Sequence, residues 1–283
     1  MTVPDVSQLR RDSALRAARR PRGPELAAVG DMEGPGGLRL RHYRPSPEAR
    51  PLVVFLHGGA WVIGDLDTHD RTCRRLAARC DVEVLAVDYR RAPEHPYPAA
   101  VDDAVAVLRW ARPAAVAGDS AGGYVATMAC LRLRDEGGPL PAGQILICPN
   151  TDLTLSMPSV AEKGSGYGLD AGFLSWAVSQ WTSGPEVRDD PRASPLTAAD
   201  LRGMPDSIVV TAEHDPLRDE GDAYARRLAE AGVRVTHRQE PGLVHGFIQN
   251  MDLTSPEAAA AHERLFQDIA GMLGGREGHS APR

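Results

Sequence analysis

A chain of 283 residues with 42% hydrophobic content is long enough to bury both faces of a sheet in one domain with a small cap. Its formal net charge of −6, its pI near 5.9 and arginines spread along the helical stretches argue against nucleic acid as the main partner. The N-terminal stretch holding Arg10, Arg11, Arg16, Arg19 and Arg20 lacks the apolar core of a signal peptide, and nowhere do roughly 18 apolar residues run uninterrupted, so the expectation is a cytoplasmic protein without a membrane span.

In chain order, Val3 to Arg20 reads as a weakly amphipathic helix and Pro21 to Gly37 as a Pro/Gly-rich connection. Together, residues 1–37 are expected to fold over a site as part of a cap. Leu52 to Leu56 is a continuous apolar run, the signature of a strand buried on both faces, and it leads directly into His57-Gly58-Gly59-Ala60-Trp61. Cys73 and Cys80, with Leu76 and Ala77 between them at helical spacing, fill the buried stripe of one helix. A stronger helix spans Ala99 to Ala111, where Val101, Val105 and Leu108 share a face. The apolar run Ala114 to Ala117 then enters Gly118-Asp119-Ser120-Ala121-Gly122, followed by a helical stretch to Arg134. After Ile145-Leu146-Ile147 and Cys148 the pattern becomes irregular from about 150 to 195. That stretch, with Phe173, Leu174, Trp176, Val178 and Trp181, is expected to complete the cap, its aromatics either walling a pocket or packing the cap onto the sheet. Ser207 to Ala212 reads as a strand, about Asp219 to Ala231 as a helix, Val233 to Gln239 as the last strand, and Pro256 to Leu273 as the last helix, before a polar tail from Gly274 to Arg283. This alternation of strands and helices implies a parallel sheet with right-handed crossovers.

The chemistry lies in the turns. A serine with glycines two residues away on either side suits a strained strand-to-helix turn that presents the hydroxyl of Ser120 at the tip of a sheet. Acyl transfer also needs backbone N–H donors around the developing oxyanion, each lowering the barrier by about 3–4 kcal/mol. The N–H groups of Gly58, Gly59 and Ala121 are assigned to that hole. An acid and a histidine that could complete the set both occur after the serine. Asp215 stands at a strand's carboxyl end before Pro216, and His245 lies in Val244-His245-Gly246-Phe247. Rival acids are Glu213 and Asp219, and rival bases His214 and His237, whereas His69 and His95 precede the serine. No histidine pair has metal-ligand spacing and the 4 cysteines form no CxxC, so no metal site is expected.

Taken together, HGGAW (57–61), DYRRAPEHPYPAA (88–100), GDSAGG (118–123), AEHDPLRDEG (212–221) and VHGF (244–247) resemble the hormone-sensitive-lipase-like esterases of the α/β-hydrolase superfamily, from about Leu38 to near the C-terminus. The resemblance implies an α/β-hydrolase fold, a mostly parallel eight-stranded sheet with helices on both faces and a small helical cap. It further implies carboxylic ester hydrolysis without a cofactor, with Ser120 as nucleophile, Asp215 as acid and His245 as base. Three departures bear on the substrate: Ala60 replaces the family's third oxyanion glycine, Tyr124 stands where Asn is frequent, and the N-terminal cap is short. Trp61 and Tyr124 are expected to narrow the substrate pocket toward small acyl groups such as acetyl. The partner is then a small acyl ester. Relatives that cleave amides or formamides, and others that bind ligands without hydrolysis, are the alternatives, and pairing of two chains through the last strand is a further option.

Overall fold

The computed structural model describes residues 5–274. The chain starts with helix α1 (Val6–Ala18) and two antiparallel strands, β1 (Ala28–Glu33) and β2 (Arg39–Arg44). Then follow β3 (Leu52–Leu56), α2 (Asp70–Cys80), β4 (Glu83–Val87), α3 (Ala99–Ala111), β5 (Ala115–Asp119), α4 (Ala121–Asp135) and β6 (Gly143–Ile147). Three short helices leave the sheet, α5 (Pro158–Lys163), α6 (Ala171–Thr182) and α7 (Pro185–Arg188). The chain returns as β7 (Asp206–His214), α8 (Arg218–Glu230) and β8 (Val235–Val244), and closes with α9 (Phe247–Asn250) and α10 (Pro256–Gly274).

The eight strands lie in the order β1-β2-β4-β3-β5-β6-β7-β8, with β2 antiparallel to both neighbours and every other pair parallel. Between β3 and β5 the chain reverses its direction of travel across the sheet, β4 having been laid on one side and β5 on the other. Such a reversal opens a crevice beyond the strands' carboxyl ends. Residues 57–61 and Ser120 both emerge there, next to the register pair Leu56↔Gly118.

β5 and β6 are buried at every position, as strands covered on both faces must be. Alternate residues of one strand feed two separate cores. Val54, Leu56, Val116 and Leu146 pack with α3, α4 and α8 on one face. Val53, Phe55, Ala117 and Ile145 pack with α2 and α10 on the other. Cys73, Leu76, Ala77 and Cys80 form the buried stripe of α2, as their spacing predicts.

β3 and α3 fall within the expected bounds, and α8 and α10 within one residue of theirs. Two elements depart furthest from expectation. Residues 28–33, expected in a connection, form the outer strand β1 through a ladder running from Ala28↔Arg44 to Glu33↔Arg39. Five of its six residues are exposed, so no buried alternation marks it. β8 begins at Val235 and continues to Val244, directly before His245. The expected helix start at Val3 and the tail after Gly274 lie outside the described residues.

α1 has no buried residue, and the Asp5 carboxylate caps it by accepting from the N–H groups of Ser7 and Gln8. Arg10 ties it to the body: Nε donates to Val62 O (2.9 Å), Nη2 to Ala92 O (2.9 Å), and the guanidinium grips both oxygens of Glu94 at 2.8 Å. Similar arginine forks join α2 to the segment after α9 through Arg71–Asp252, and β8 to α10 through Arg238–Asp268. No described helix is long and apolar enough to cross a membrane.

Candidate active site

Ser120 occupies the turn between β5 and α4 with φ 55° and ψ −123°, a conformation costing about 1–3 kcal/mol for a residue with a side chain. The flanking glycines explain how the turn closes. A Cβ on Gly122 would lie 2.0 Å from the carbonyl oxygen of Leu56, and one on Gly118 would lie 2.3 Å from that of Gly122. The backbone of Ser120 is pinned on both sides, its N–H donating to Ile147 O (2.8 Å) and its carbonyl accepting from Tyr124 N–H (3.1 Å).

The Ser120 hydroxyl lies 3.0 Å from His245 Nε2, and His245 Nδ1 lies 2.7 Å from Asp215 Oδ2. The other oxygen of Asp215 accepts the Leu217 N–H at 2.8 Å, so the carboxylate is oriented before it meets the ring. β7 delivers the acid, β8 delivers the imidazole, and Gly246 at φ 73° turns the chain away. Asp215 is wholly buried and Ser120 nearly so, while the His245 side chain keeps 14% of its surface. Burial pulls the imidazole pKa down, but the charge and hydrogen bond of Asp215, with help from the Asp119 charge, outweigh it and leave His245 above its ordinary 6.5.

The rival residues are engaged elsewhere. Glu213 accepts the Gly242 N–H (2.7 Å), and Asp219 accepts the Ser159 N–H (2.9 Å) and pairs with Arg218. His214 stacks on Tyr167, and His237 contacts Asp222 at 2.8 Å.

The loop 57–61 corrects one expected donor. Gly58 N–H already donates to Asp119 Oδ1 at 2.8 Å, so it is not free to receive an oxyanion. The next two residues turn back sharply. Gly59 sits at φ 129°, where a Cβ would strike Ile63 O at 2.2 Å, and its carbonyl accepts from Val62 and Ile63; Ala60 follows at φ 53°. Among the described residues nothing accepts from the N–H of Gly59, Ala60 or Ala121.

Asp119 itself was not singled out by its sequence position. The signal was there: an acidic residue inside an apolar strand must find buried partners. Its carboxylate, 2% exposed, holds Gly58 N–H on one oxygen and lies 3.3 Å from His69 Nε2 and 3.5 Å from Gln249 Nε2 on the other. Burial opposes its charge, but His69 and the two hydrogen bonds outweigh that cost and hold its pKa below the usual carboxylate value. His57 is buried beside it, stacked on Tyr89 at 4.2 Å, and desolvation with the nearby His69 charge drives its pKa to about 3, so it stays neutral.

Trp61 and Tyr124, expected to face the substrate, present no surface at all. Trp61 stacks on Trp181 of α6 (centroids 5.5 Å, 8°) and meets Tyr124 edge-on (5.3 Å, 85°), while the Tyr124 hydroxyl donates to Ala193 O at 2.7 Å. A Trp beside a glycine loop reads as a pocket wall only until the partner across it is known. Here the partner, Trp181, is more than a hundred residues away in sequence.

Removing the Asp119 carboxylate would strand buried donors. Asp119→Ala is expected to lower unfolding free energy by about 2–3 kcal/mol in urea denaturation, and Asp119→Asn, which keeps an acceptor for Gly58, to lose less. An unchanged midpoint in Asp119→Ala would show that the Gly58 contact contributes nothing.

Comparison with known proteins gives this geometry a context. A family model described as "alpha/beta hydrolase fold" matches residues 53–249. The carboxylic ester hydrolase LipN of Mycobacterium tuberculosis is 43% identical over 265 residues, 86% of this chain and 70% of that protein. An ethyl acetate hydrolase of Pseudomonas putida is 40% identical over 228 residues, covering 75% of this chain and 72% of the relative. The crystal structure of a hyperthermophilic esterase from the archaeon Pyrobaculum calidifontis superposes with a TM-score of 0.85 at 37% identity, over 95% of this chain and 94% of that one. The chain belongs to the hormone-sensitive-lipase-like esterases of the α/β-hydrolase fold.

Proposed function

We propose that this carboxylic ester hydrolase cleaves short-acyl esters of small molecules with Ser120 as nucleophile, His245 as general base and Asp215 as its partner. The observation that carries the reading is one imidazole bonded at 3.0 Å to a serine hydroxyl and at 2.7 Å to a buried carboxylate. Ser120 attacks the acyl carbon as Nε2 takes its proton. Asp215 keeps the Nδ1 proton in place and stabilises the imidazolium, which then protonates the leaving alcohol; water discharges the acyl-enzyme by the same steps. The unpaired N–H groups of Gly59, Ala60 and Ala121 are the proposed oxyanion donors, with Ala60 in place of Gly58.

The preference for short acyl chains rests on space. The Trp61, Trp181 and Tyr124 rings fill the volume behind the oxyanion loop and the first turn of α4, which limits how far an acyl chain extends there. Likeness to an ethyl acetate hydrolase supports the same size class. The relatives described above are named for ester cleavage, which does not favour the amide-cleaving alternative. α1 and the segment of about 150–195 are the proposed cap.

Ser120→Ala is expected to fold yet lose hydrolysis of a short p-nitrophenyl ester, read by p-nitrophenolate release; undiminished turnover excludes Ser120 as nucleophile. In an acyl-length series the specificity constant is expected to peak at acetyl to butyryl, and a maximum at long chains contradicts the size argument. The pH profile follows from His245. A protonated imidazole cannot accept the serine proton, so kcat/KM rises as pH climbs through the imidazole pKa, and the raised value places that limb above pH 6.5. Asp215→Asn should move the limb to lower pH and reduce kcat by about 10³–10⁴-fold. A limb that stays in place would rule out Asp215 as the source of the shift.

A further inference from the structure

All four cysteines are buried in the two cores, and one of them also borders the candidate site. Cys148 is placed differently. β6 ends at Ile147, and Cys148 turns out of the strand at φ 44° with its N–H donating to Val210 O at 2.7 Å. That turn brings its Sγ, a carboxylate oxygen of Asp215 and a ring nitrogen of His245 within 4.8 Å of one another. Nδ1 of that ring is the nitrogen that contacts Asp215. Cys148 and Asp215 are buried, so the cluster communicates with solvent through the partly exposed imidazole.

We propose that Cys148, Asp215 and His245 form an inhibitory binding site for a thiophilic divalent cation, zinc above all, that competes with the catalytic arrangement of the same imidazole. One sulfur, one nitrogen and one oxygen with an open fourth position match what zinc takes up, at about 2.3 Å to sulfur and about 2.0–2.2 Å to nitrogen and oxygen. Ligand atoms around such an ion stand roughly 3–4 Å apart, so side-chain movements of about an ångström complete the site. A thiol coordinated to such an ion gives up its proton. On binding, zinc forms bonds to the sulfur, the carboxylate oxygen and Nδ1. The thiol proton leaves to water, and the imidazole proton moves from Nδ1 to Nε2. An imidazole metallated on Nδ1 and protonated on Nε2 has no lone pair for the Ser120 proton, so inhibition follows from the tautomer rather than from blocking the substrate. Sequence spacing hides the site, because its ligands come from the ends of β6, β7 and β8.

The inhibitory consequence rests on the role proposed for His245, whereas the binding itself does not, and the test separates them. Cobalt(II) is titrated into metal-free wild-type protein, Ser120→Ala and Cys148→Ala while absorbance is followed, and zinc inhibition of ester hydrolysis is measured in wild type and Cys148→Ala, each relative to its own metal-free rate. The sulfur-to-cobalt charge-transfer band is expected in wild type and Ser120→Ala and absent in Cys148→Ala, and the half-inhibiting zinc concentration is expected to rise by about tenfold or more in Cys148→Ala. Absence of the band in wild type, or zinc inhibition that is present and equally strong in the two active proteins, overturns the site. A Cys148-dependent band with no zinc inhibition leaves the site standing and sinks the base role of His245. Cys148→Ser replaces Cys148→Ala where the latter fails to fold.

Discussion

The structure turns on one contact: the α carbon of Gly122 against the carbonyl of Leu56, with no room for a single additional carbon. Leu56 is the last residue of β3, and the loop 57–61 grows from it; Gly122 stands two residues beyond Ser120. Seating one on the other therefore sets the distance between a serine hydroxyl and a row of unpaired amides in a single step. Asp119 adds a second tie, reaching from the strand before the serine to the first glycine of the loop. Groups fixed in this way need no rearrangement when charge develops between them, which is where electrostatic stabilisation is most effective.

Two carboxylate–imidazole pairs adjoin Ser120, one through its hydroxyl and one through its chain neighbour Asp119, and they differ in what they leave open. Asp215 holds only Nδ1 of His245, and Nε2 remains available to the hydroxyl. Asp119 faces Nε2 of His69, whose other nitrogen meets the Thr68 hydroxyl at 3.1 Å, so that ring is enclosed at both ends. The same pairing thus leaves one imidazole with a nitrogen against a serine hydroxyl and encloses the other between a carboxylate and a threonine hydroxyl. Position decides between them: His245 sits at the mouth of the crevice, and His69 is buried behind it.

The parts of this arrangement that could be read from sequence are those with a local cause. β3 is a run of apolar residues closed by glycines, and α3 repeats Val101, Val105 and Leu108 on one face, so both have the expected bounds. The glycines around Ser120 announced a tight turn because only steric demand explains their spacing. What was misread depends on direction or distance. Whether Gly58 N–H points at a substrate or backward at Asp119 is settled by the φ values of the following residues, Gly59 and Ala60, and no residue type encodes them. Trp61 and Tyr124 vanish into the interior because α6 brings Trp181 across them. β1 carries Gly30, Asp31 and Glu33 with almost no burial, and only the ladder with β2 makes it a strand. Cys148, an apolar-looking residue after an apolar run, lies next to Asp215 because β6 and β7 pair in register up to Ile147↔Val210.

The arginine forks that tie α1, α2 and β8 to the rest of the molecule have a consequence for alkali. Of 32 basic side chains, Lys163 is the single lysine, and guanidinium groups hold their proton beyond about pH 12. On the acid side, the hydrogen bond from Arg10 draws the Glu94 carboxyl to about 2, so its contribution is intact above the ordinary 4.5 and fades only as pH falls through the lower figure. A framework fastened by guanidinium rather than ammonium groups is held by the more alkali-tolerant of the two cations, and by one whose planar fork fixes angle as well as distance.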